Sequence, residues 1–243
     1  MPTILILGAS SEMGFEIARK YAMQKFDVQL AGRQIDALRP LQSDLQIRYG
    51  VQSSVHQFDA MDLASHEAFY DSLPVKPDVT ASIVGYMNDN EKVIASQDET
   101  VRTITTNFTG PVSMLNIIAA DYAARKSGTI IGISSVAGLR GRQSNYIYGS
   151  AKAGFTAYLS GLRNKLYHDG VHVVTVLPGF VYTRMTAHLQ LPPLLTAKPE
   201  DVANAVYKAH QKKKNVIYVK WFWKWIMLII TSIPESMFKK KKL

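Results

Sequence analysis

Short apolar runs alternate with longer amphipathic stretches along most of this chain, and few folds satisfy that pattern. The runs Thr3–Leu7, Val28–Ala31, Ser53–Phe58, Val79–Val84, Gly128–Ser134, Val171–Leu177 and Asn215–Val219 have the length of strands. They are apolar enough to be buried on both faces, as the strands of a parallel sheet are. Between them, Glu12–Gln24, Ile35–Tyr49, Ser65–Ser72, Asp98–Lys126, Tyr146–His168 and Pro199–Gln211 are the candidate helices that would cover it. The alternation predicts an α/β fold: a doubly wound parallel seven-stranded sheet with helices on both faces. A ligand is then expected at the carboxyl ends of the strands.

A chain of 243 residues fits one such domain, residues 1–219, with an apolar and basic tail at 220–243. The absence of cysteine excludes disulfides, thiolate metal sites and a cysteine nucleophile. It suits a reducing, cytoplasmic setting. Met1–Leu7 carries no charged leader and runs directly into Gly8, so it reads as a first strand and not as a secretory signal.

The net charge of +9 is placed unevenly. From Lys212 onward there are nine lysines and one acid, Glu235, whereas residues 1–211 carry 19 basic and 18 acidic groups. The body has no basic stripe, so no nucleic-acid partner is expected. The tail lysines flank tryptophans and aliphatic residues, a pattern suited to a membrane surface.

The first strand leads into Gly8-Ala9-Ser10-Ser11-Glu12-Met13-Gly14. Gly8 permits a tight turn, Gly14 lets the helix approach the strand, and the helix N-terminus then faces a pyrophosphate. Ser10 and Ser11 can add hydroxyl donors, with Met13 alongside. Glu12 stands where a middle glycine is usual; its carboxylate is expected to turn away from phosphate, into the first helical turn, where the dipole favours an acid. The second strand ends at Arg33 with no acid until Asp36. An arginine there can pair with a 2′-phosphate, which favours NADP(H) over NAD. Asp59 ends the third strand and could accept from an adenine amino group or cap the next helix.

Tyr148 and Lys152 are four residues apart, one turn of helix, and Ser135 lies thirteen residues before Tyr148 at the end of an apolar run. A hydroxyl, a phenol and an ammonium group together can donate a proton to a carbonyl oxygen. A neighbouring cation is expected to lower the phenol pKa by roughly 1–3 units from ~10. Tyr21 and Lys25 repeat the spacing, but beside Arg19 and Lys20 they read as helix surface. Tyr146 is followed four residues on by Ser150, so no ammonium lies beneath it. Ser134 should face away from Ser135, since successive strand residues point to opposite sides.

Together these residues resemble the short-chain dehydrogenase/reductase family, from the glycine turn through Pro178-Gly179, about three quarters of the chain. The resemblance implies a Rossmann-type fold and an NAD(P)-dependent oxidoreductase acting on CH–OH groups. It makes Tyr148 the general acid/base, with Lys152 tuning it and holding the nicotinamide ribose. Ser135 would orient the substrate carbonyl, and Asn107 would hold a water in the proton relay. Gly85 is the survivor of the usual motif after the fourth strand, here Ser82-Ile83-Val84-Gly85. Pro178, Gly179, Val181 and Thr183 would pass the nicotinamide. A dimer or tetramer through the two long helices is implied as well.

The departures at Glu12 and Ser82–Gly85, with the segments Asn145–Ser150, Thr183–Leu189 and Ile233–Phe238, are similar to one branch of that family. It reduces a keto-ribose carried on a polyprenyl phosphate to the arabinose form. The resemblance implies a lipid-linked sugar substrate and a partner oxidase that forms the keto intermediate.

The apolar segment Trp221–Ile233 has thirteen residues, about 20 Å as a helix against a hydrocarbon core of about 30 Å. It is too short to span. It reads either as an interfacial helix, with the cluster Lys239–Lys242 behind it, or as a segment packed on the body or a second subunit, lining the pocket. The loop Arg184–Lys198, with Leu189, Leu191, Leu194 and Leu195, is apolar enough to border a lipid or to act as a lid. A reductase of free lipid or acyl ketones, and a non-catalytic NADP-binding scaffold, are the rival readings.

Overall fold

The computed structural model describes residues 1–187 and 190–241. His188, Leu189 and Lys242, named above in the loop and the lysine cluster, lie outside the described residues. In chain order the elements are β1 (Thr3–Leu7), α1 (Glu12–Met23), β2 (Asp27–Gly32), α2 (Arg39–Tyr49), β3 (Ser53–Gln57), α3 (His66–Asp71) and β4 (Val79–Ser82). Then come α4 (Asn90–Ala95), α5 (Gln97–Ile104), α6 (Gly110–Arg125), β5 (Thr129–Ile133), α7 (Tyr146–Leu166), β6 (His172–Pro178) and β7 (Phe180–Val181). The chain continues through β8 (Thr196–Ala197), α8 (Pro199–Gln211), β9 (Val216–Val219), α9 (Trp223–Ser232) and α10 (Glu235–Phe238).

Seven strands form one parallel sheet in the order β3-β2-β1-β4-β5-β6-β9, as the alternation predicts. Both faces are buried. Along β1, Ile4 and Ile6 enter the core beneath α1, α2 and α8, while Leu5 and Leu7 enter the one beneath α3, α6 and α7. A strand's side chains alternate between faces, so a run apolar at every position is needed to fill two cores. The sheet order reverses between β1 and β4, which opens a crevice beyond their carboxyl ends.

Three readings need correction. The stretch Asp98–Lys126 is not one regular α-helix: five residues, Thr105–Thr109, form a π turn between α5 and α6. Pro111 has no N–H to offer the carbonyl of Asn107, so the regular ladder fails there. The helix expected from Ile35 begins at Arg39, where Pro40 sits in the first turn. Tyr21 is not on the helix surface; it is fully buried with Ile17, Ala18 and Ala22, and its hydroxyl meets His210 Nδ1 at 3.1 Å. Of the two readings of the tail, the structure has it packed on the body, as α9 and α10.

Candidate active site

The crevice divides into two joined halves that share Ile83, Val84 and Gly85. The first, about 570 Å³, is lined by Gly8, Ser10, Ser11, Arg33, Asp59 and Thr106, among others. Gly8 turns the chain at φ +86°, and a Cβ there would meet the Val84 backbone nitrogen at 3.0 Å. A Cβ on Gly14 would lie 2.9 Å from the Gly8 carbonyl. This turn therefore holds the N-terminus of α1 against the crevice, where a pyrophosphate is favourable. Ser11 caps α1, accepting from the Gly14 N–H at 3.1 Å and donating to the Gly8 carbonyl at 3.0 Å. Its hydroxyl proton is thus committed, and Ser10 is the hydroxyl left facing the crevice. Asp59 accepts from the Met61 N–H at 3.0 Å in a local turn and shares the wall with Arg33. Two glycines that admit no side chain, a helix N-terminus and a cation at the far end fit a dinucleotide.

The second half, about 890 Å³, brings together Met13, Gly85, Ser135, Tyr148, Lys152, Pro178, Gly179, Val181 and Thr183. Helix α7 places Tyr148 and Lys152 because its stripe Ala151, Phe155, Leu159, Leu162 and Leu166 is buried against the sheet. Ser134 and Ser135 diverge as their alternation requires. Ser134 is buried, donates to the Lys152 carbonyl at 3.0 Å and meets Thr156 at 2.6 Å, which ties α7 to the end of β5. Ser135 accepts from the Ala137 N–H at 3.1 Å and lies close enough to the Tyr148 phenol for its hydroxyl to oppose the rise in the phenol's pKa. Tyr146 is exposed. Lys152 Nζ donates to the Ile133 carbonyl at 3.2 Å and lies 5.9 Å from the centre of the Tyr148 ring.

Asn107 sits in the π turn, fully buried. Its amide donates to the Tyr86 carbonyl at 2.6 Å and the Thr103 carbonyl at 2.8 Å, and its oxygen accepts from the Tyr86 N–H at 3.2 Å. A methyl on Gly85 would meet Asn107 Oδ1 at 3.5 Å and Lys152 Nζ at 3.8 Å, so the two groups converge on that glycine. Thr183 caps a short turn with Thr186 at the mouth of this half.

The electrostatics reverse one expectation. Tyr148 is pushed up to about 12, since loss of solvent around the phenol outweighs the opposing hydrogen bond from Ser135. Lys152 is pushed down to about 8 by its own burial. A lysine held that close to neutrality, with its ammonium turned to Ile133, does not lower the phenol here.

Two features were not foreseen, and a third fits one reading of the tail. Glu12 does turn away from the pyrophosphate position, but its partner lies 172 residues on: it accepts from the Arg184 backbone N–H at 3.1 Å and from its guanidinium at 2.8 Å. Arg184 also donates to the Ser10 carbonyl at 2.9 Å, strapping the loop after β7 to the glycine turn. Trp223 closes the second half from the tail, almost fully buried; its indole N–H donates to the Leu195 carbonyl at 3.1 Å and its ring stands edge-on to Phe180. Arg142 lines the same half, and burial lowers its pKa from the usual arginine value. Trp223 alone was signalled in sequence, by an apolar tail that had to cover something.

Residues 2–192 match the family model described as short chain dehydrogenase. The chain belongs to the short-chain dehydrogenase/reductase family, whose members are NAD(P)-dependent oxidoreductases acting on CH–OH groups. An uncharacterized oxidoreductase of Mycobacterium tuberculosis is 32% identical over 240 residues, covering 98% of this chain and 96% of the relative. An NADP-dependent 3-hydroxy acid dehydrogenase of Schizosaccharomyces pombe is 28% identical over 236 residues, 88% and 89% of the two chains. A short-chain dehydrogenase of Sphingobium yanoikuyae, solved in complex with NADPH, shares the fold with a TM-score of 0.84 at 24% identity, covering 97% of this chain and 98% of that one.

Proposed function

We propose that this protein is an NADPH-dependent ketone reductase acting on a polyprenyl-phosphate-linked keto-sugar, of the kind that turns decaprenylphosphoryl-2-keto-ribose into the arabinose form. The observation that carries the reaction type is the meeting of Ser135, Tyr148 and Lys152 in one half-cleft continuous with the dinucleotide half. Arg33 at the end of β2 supports the phosphorylated cofactor, as do the NADP-dependent relative from Schizosaccharomyces pombe and the NADPH of the Sphingobium enzyme.

The nicotinamide, when bound, supplies hydride to the carbonyl carbon. Gly8, Ser10, Gly14, Arg33 and Asp59 would hold the nucleotide portion, and Gly85, Pro178, Gly179, Val181 and Thr183 would border the ring. Ser135, whose oxygen accepts from the Ala137 N–H, would turn its hydroxyl proton from the phenol to the substrate oxygen when a ketone is bound. Tyr148, protonated throughout the neutral range, donates the proton that completes the alcohol. Lys152 and the Asn107 turn, which converge on Gly85, would relay the proton that restores the phenol.

The lipid carrier is supported by the tail and the loop. Trp221, Trp225, Leu228, Ile229 and Met237 are exposed beside Lys220, Lys224 and Lys239–Lys241, and Leu194 is exposed on the loop whose Leu195 carbonyl holds Trp223. Among the described residues no helix is long and apolar enough to cross a membrane. A peripheral site on the inner membrane face, near an oxidase that forms the keto-sugar, would suit such a surface. Lysines near anionic lipid are worth about 1 kcal/mol each.

The deciding assay is NADPH oxidation on a polyprenyl-phosphate-sugar extract mildly oxidised to the keto form. Turnover is expected with that extract, and Tyr148→Phe should keep NADPH binding while losing nearly all of it. Brisk reduction of soluble ketones with none on the extract would instead favour a free lipid or acyl ketone, the substrate class suggested by the 3-oxoacyl-acyl-carrier-protein reductase of Chlamydia trachomatis, 28% identical over 220 residues. Co-sedimentation with anionic liposomes tests the surface: Trp225→Ser/Ile229→Ser should reduce binding, and equal binding refutes the membrane contact.

A further inference from the structure

Among the described lining residues of the larger half-cleft, Arg142 and Lys152 are the charged side chains, and no carboxylate faces them. Lys152 is committed to the Ile133 carbonyl. Arg142 is not committed. Its Nε is buried without an acceptor, and no acid among the described residues pairs with it. The neighbouring arginines are engaged: Arg140 donates to the carbonyls of Thr231 and Ile233 and pairs with Glu235, and Arg184 holds Glu12 and Ser10. Arg142 is half-buried, and its Nε–H, closed to water and left without an acceptor, is costly unless an oxygen acceptor completes it.

Asn145 makes the same point independently. It stands at the N-terminus of α7, where a side-chain cap is expected, yet it caps nothing, and its Oδ1 is buried without a partner. A carboxamide turned over presents its NH₂ at the same place. The Asn145 N–H donates to the Arg142 carbonyl at 3.1 Å, so one turn fixes both residues relative to each other. Arg142, Asn145 and Tyr148 follow at intervals of three residues and line one half-cleft.

We propose that Arg142 and Asn145 form an oxyanion subsite that holds a phosphate ester borne by the substrate, and so sets which carbonyl is presented to Tyr148. The proposal rests on the reading of this cleft as a ketone-reducing site and adds to it a requirement for charge on the substrate. The cofactor's own phosphates fall to the other half, at the glycine turn and Arg33.

The test is calorimetric binding of benzyl phosphate, benzyl alcohol and inorganic phosphate to the full chain saturated with NADP+. Benzyl phosphate should bind the wild type, and Arg142→Met should weaken it about tenfold or more, the scale of a lost charged hydrogen bond. Arg142→Lys should recover part of that loss, and Asn145→Ala should produce a smaller one. Benzyl alcohol binding should be the same in all of them. A thermal melt shows that each variant is folded. With Arg33→Met, run with and without NADP+, the probe should still bind, which separates the subsite from the nucleotide half. Equal binding by wild type and Arg142→Met, or no binding by the wild type, overturns the subsite. Inorganic phosphate binding as tightly as the ester would assign a free anion and overturn the substrate role. If the ester binds through Arg142 while no ketone is reduced, the subsite stands and the reductase reading fails.

Discussion

Lys152→Met separates stability from catalysis in a way that pH exposes. Lys152 is 3% exposed, and burial brings its pKa from 10.5 to about 8. At about 1.4 kcal/mol per unit, keeping that ammonium in the fold costs on the order of 3 kcal/mol at neutral pH. Between the folded and unfolded values the unfolded chain binds more protons than the folded one, so wild-type stability rises with pH across that window. Below it the whole penalty is present. Methionine removes the titration, with similar volume and no charge. The lost hydrogen bond to the Ile133 carbonyl offsets part of the gain at every pH alike, so the pH-dependent part is the readout. From about pH 7 to about pH 9.5 the variant's stability relative to wild type should fall by about 2 kcal/mol. Tyr148 stays protonated over that range in the folded state and almost so when unfolded, and it is common to both chains. Urea unfolding followed by circular dichroism at the two pH values measures the difference. A gap that does not change with pH would refute the claim that Lys152 is held against its own charge. Ketone reduction should be lost in the variant at either pH.

A Cβ added by Gly179→Ala would fall 2.0 Å from the Trp223 indole, which is pinned to Leu195, so α9 must shift; overpacking of about 1–3 kcal/mol is expected, read as a lowered Tm and a raised substrate KM. Arg184→Met removes the strap to Glu12 and Ser10. The pair is mostly exposed, worth up to about 1 kcal/mol, so the NADPH Kd should rise by no more than about fivefold, and the difference from wild type should shrink in high salt. The depressed carboxyl of Glu12 makes the strap fully formed above its unfolded value and lost as pH falls through the folded one, so the same difference should fade in acid.

Much of this architecture could be read from the chain. Strands buried on both faces leave a plain trace, because neither Ile4 nor Leu5 can be polar when each fills a core. Tyr148 and Lys152 were legible for a similar reason, one helical turn being a fixed spacing. What escaped depends on distance or on burial. Glu12 and Arg184 meet through space, and nothing local in either segment announces the other. The π turn at Asn107 leaves helical composition almost unchanged, Pro111 being its one mark. The pKa of Tyr148 follows from how much solvent the folded cleft removes, a quantity that spacing does not carry. Arg142 carries no local mark in the sequence; only the fold half-buries it at the cleft with no acid paired to it among the described residues.

The two halves of the cleft also differ in when synthesis can supply them. Every described residue lining the nucleotide half lies between Gly8 and Thr106, whereas the substrate half waits for Trp223. A chain leaving the ribosome therefore delivers the lining of the nucleotide half early, while the residues that would border the nicotinamide come later and the indole that completes the substrate wall follows only after the last strand of the sheet. Tyr148, Lys152 and the wall that encloses a ketone are thus later additions to a nucleotide end already present in the growing chain.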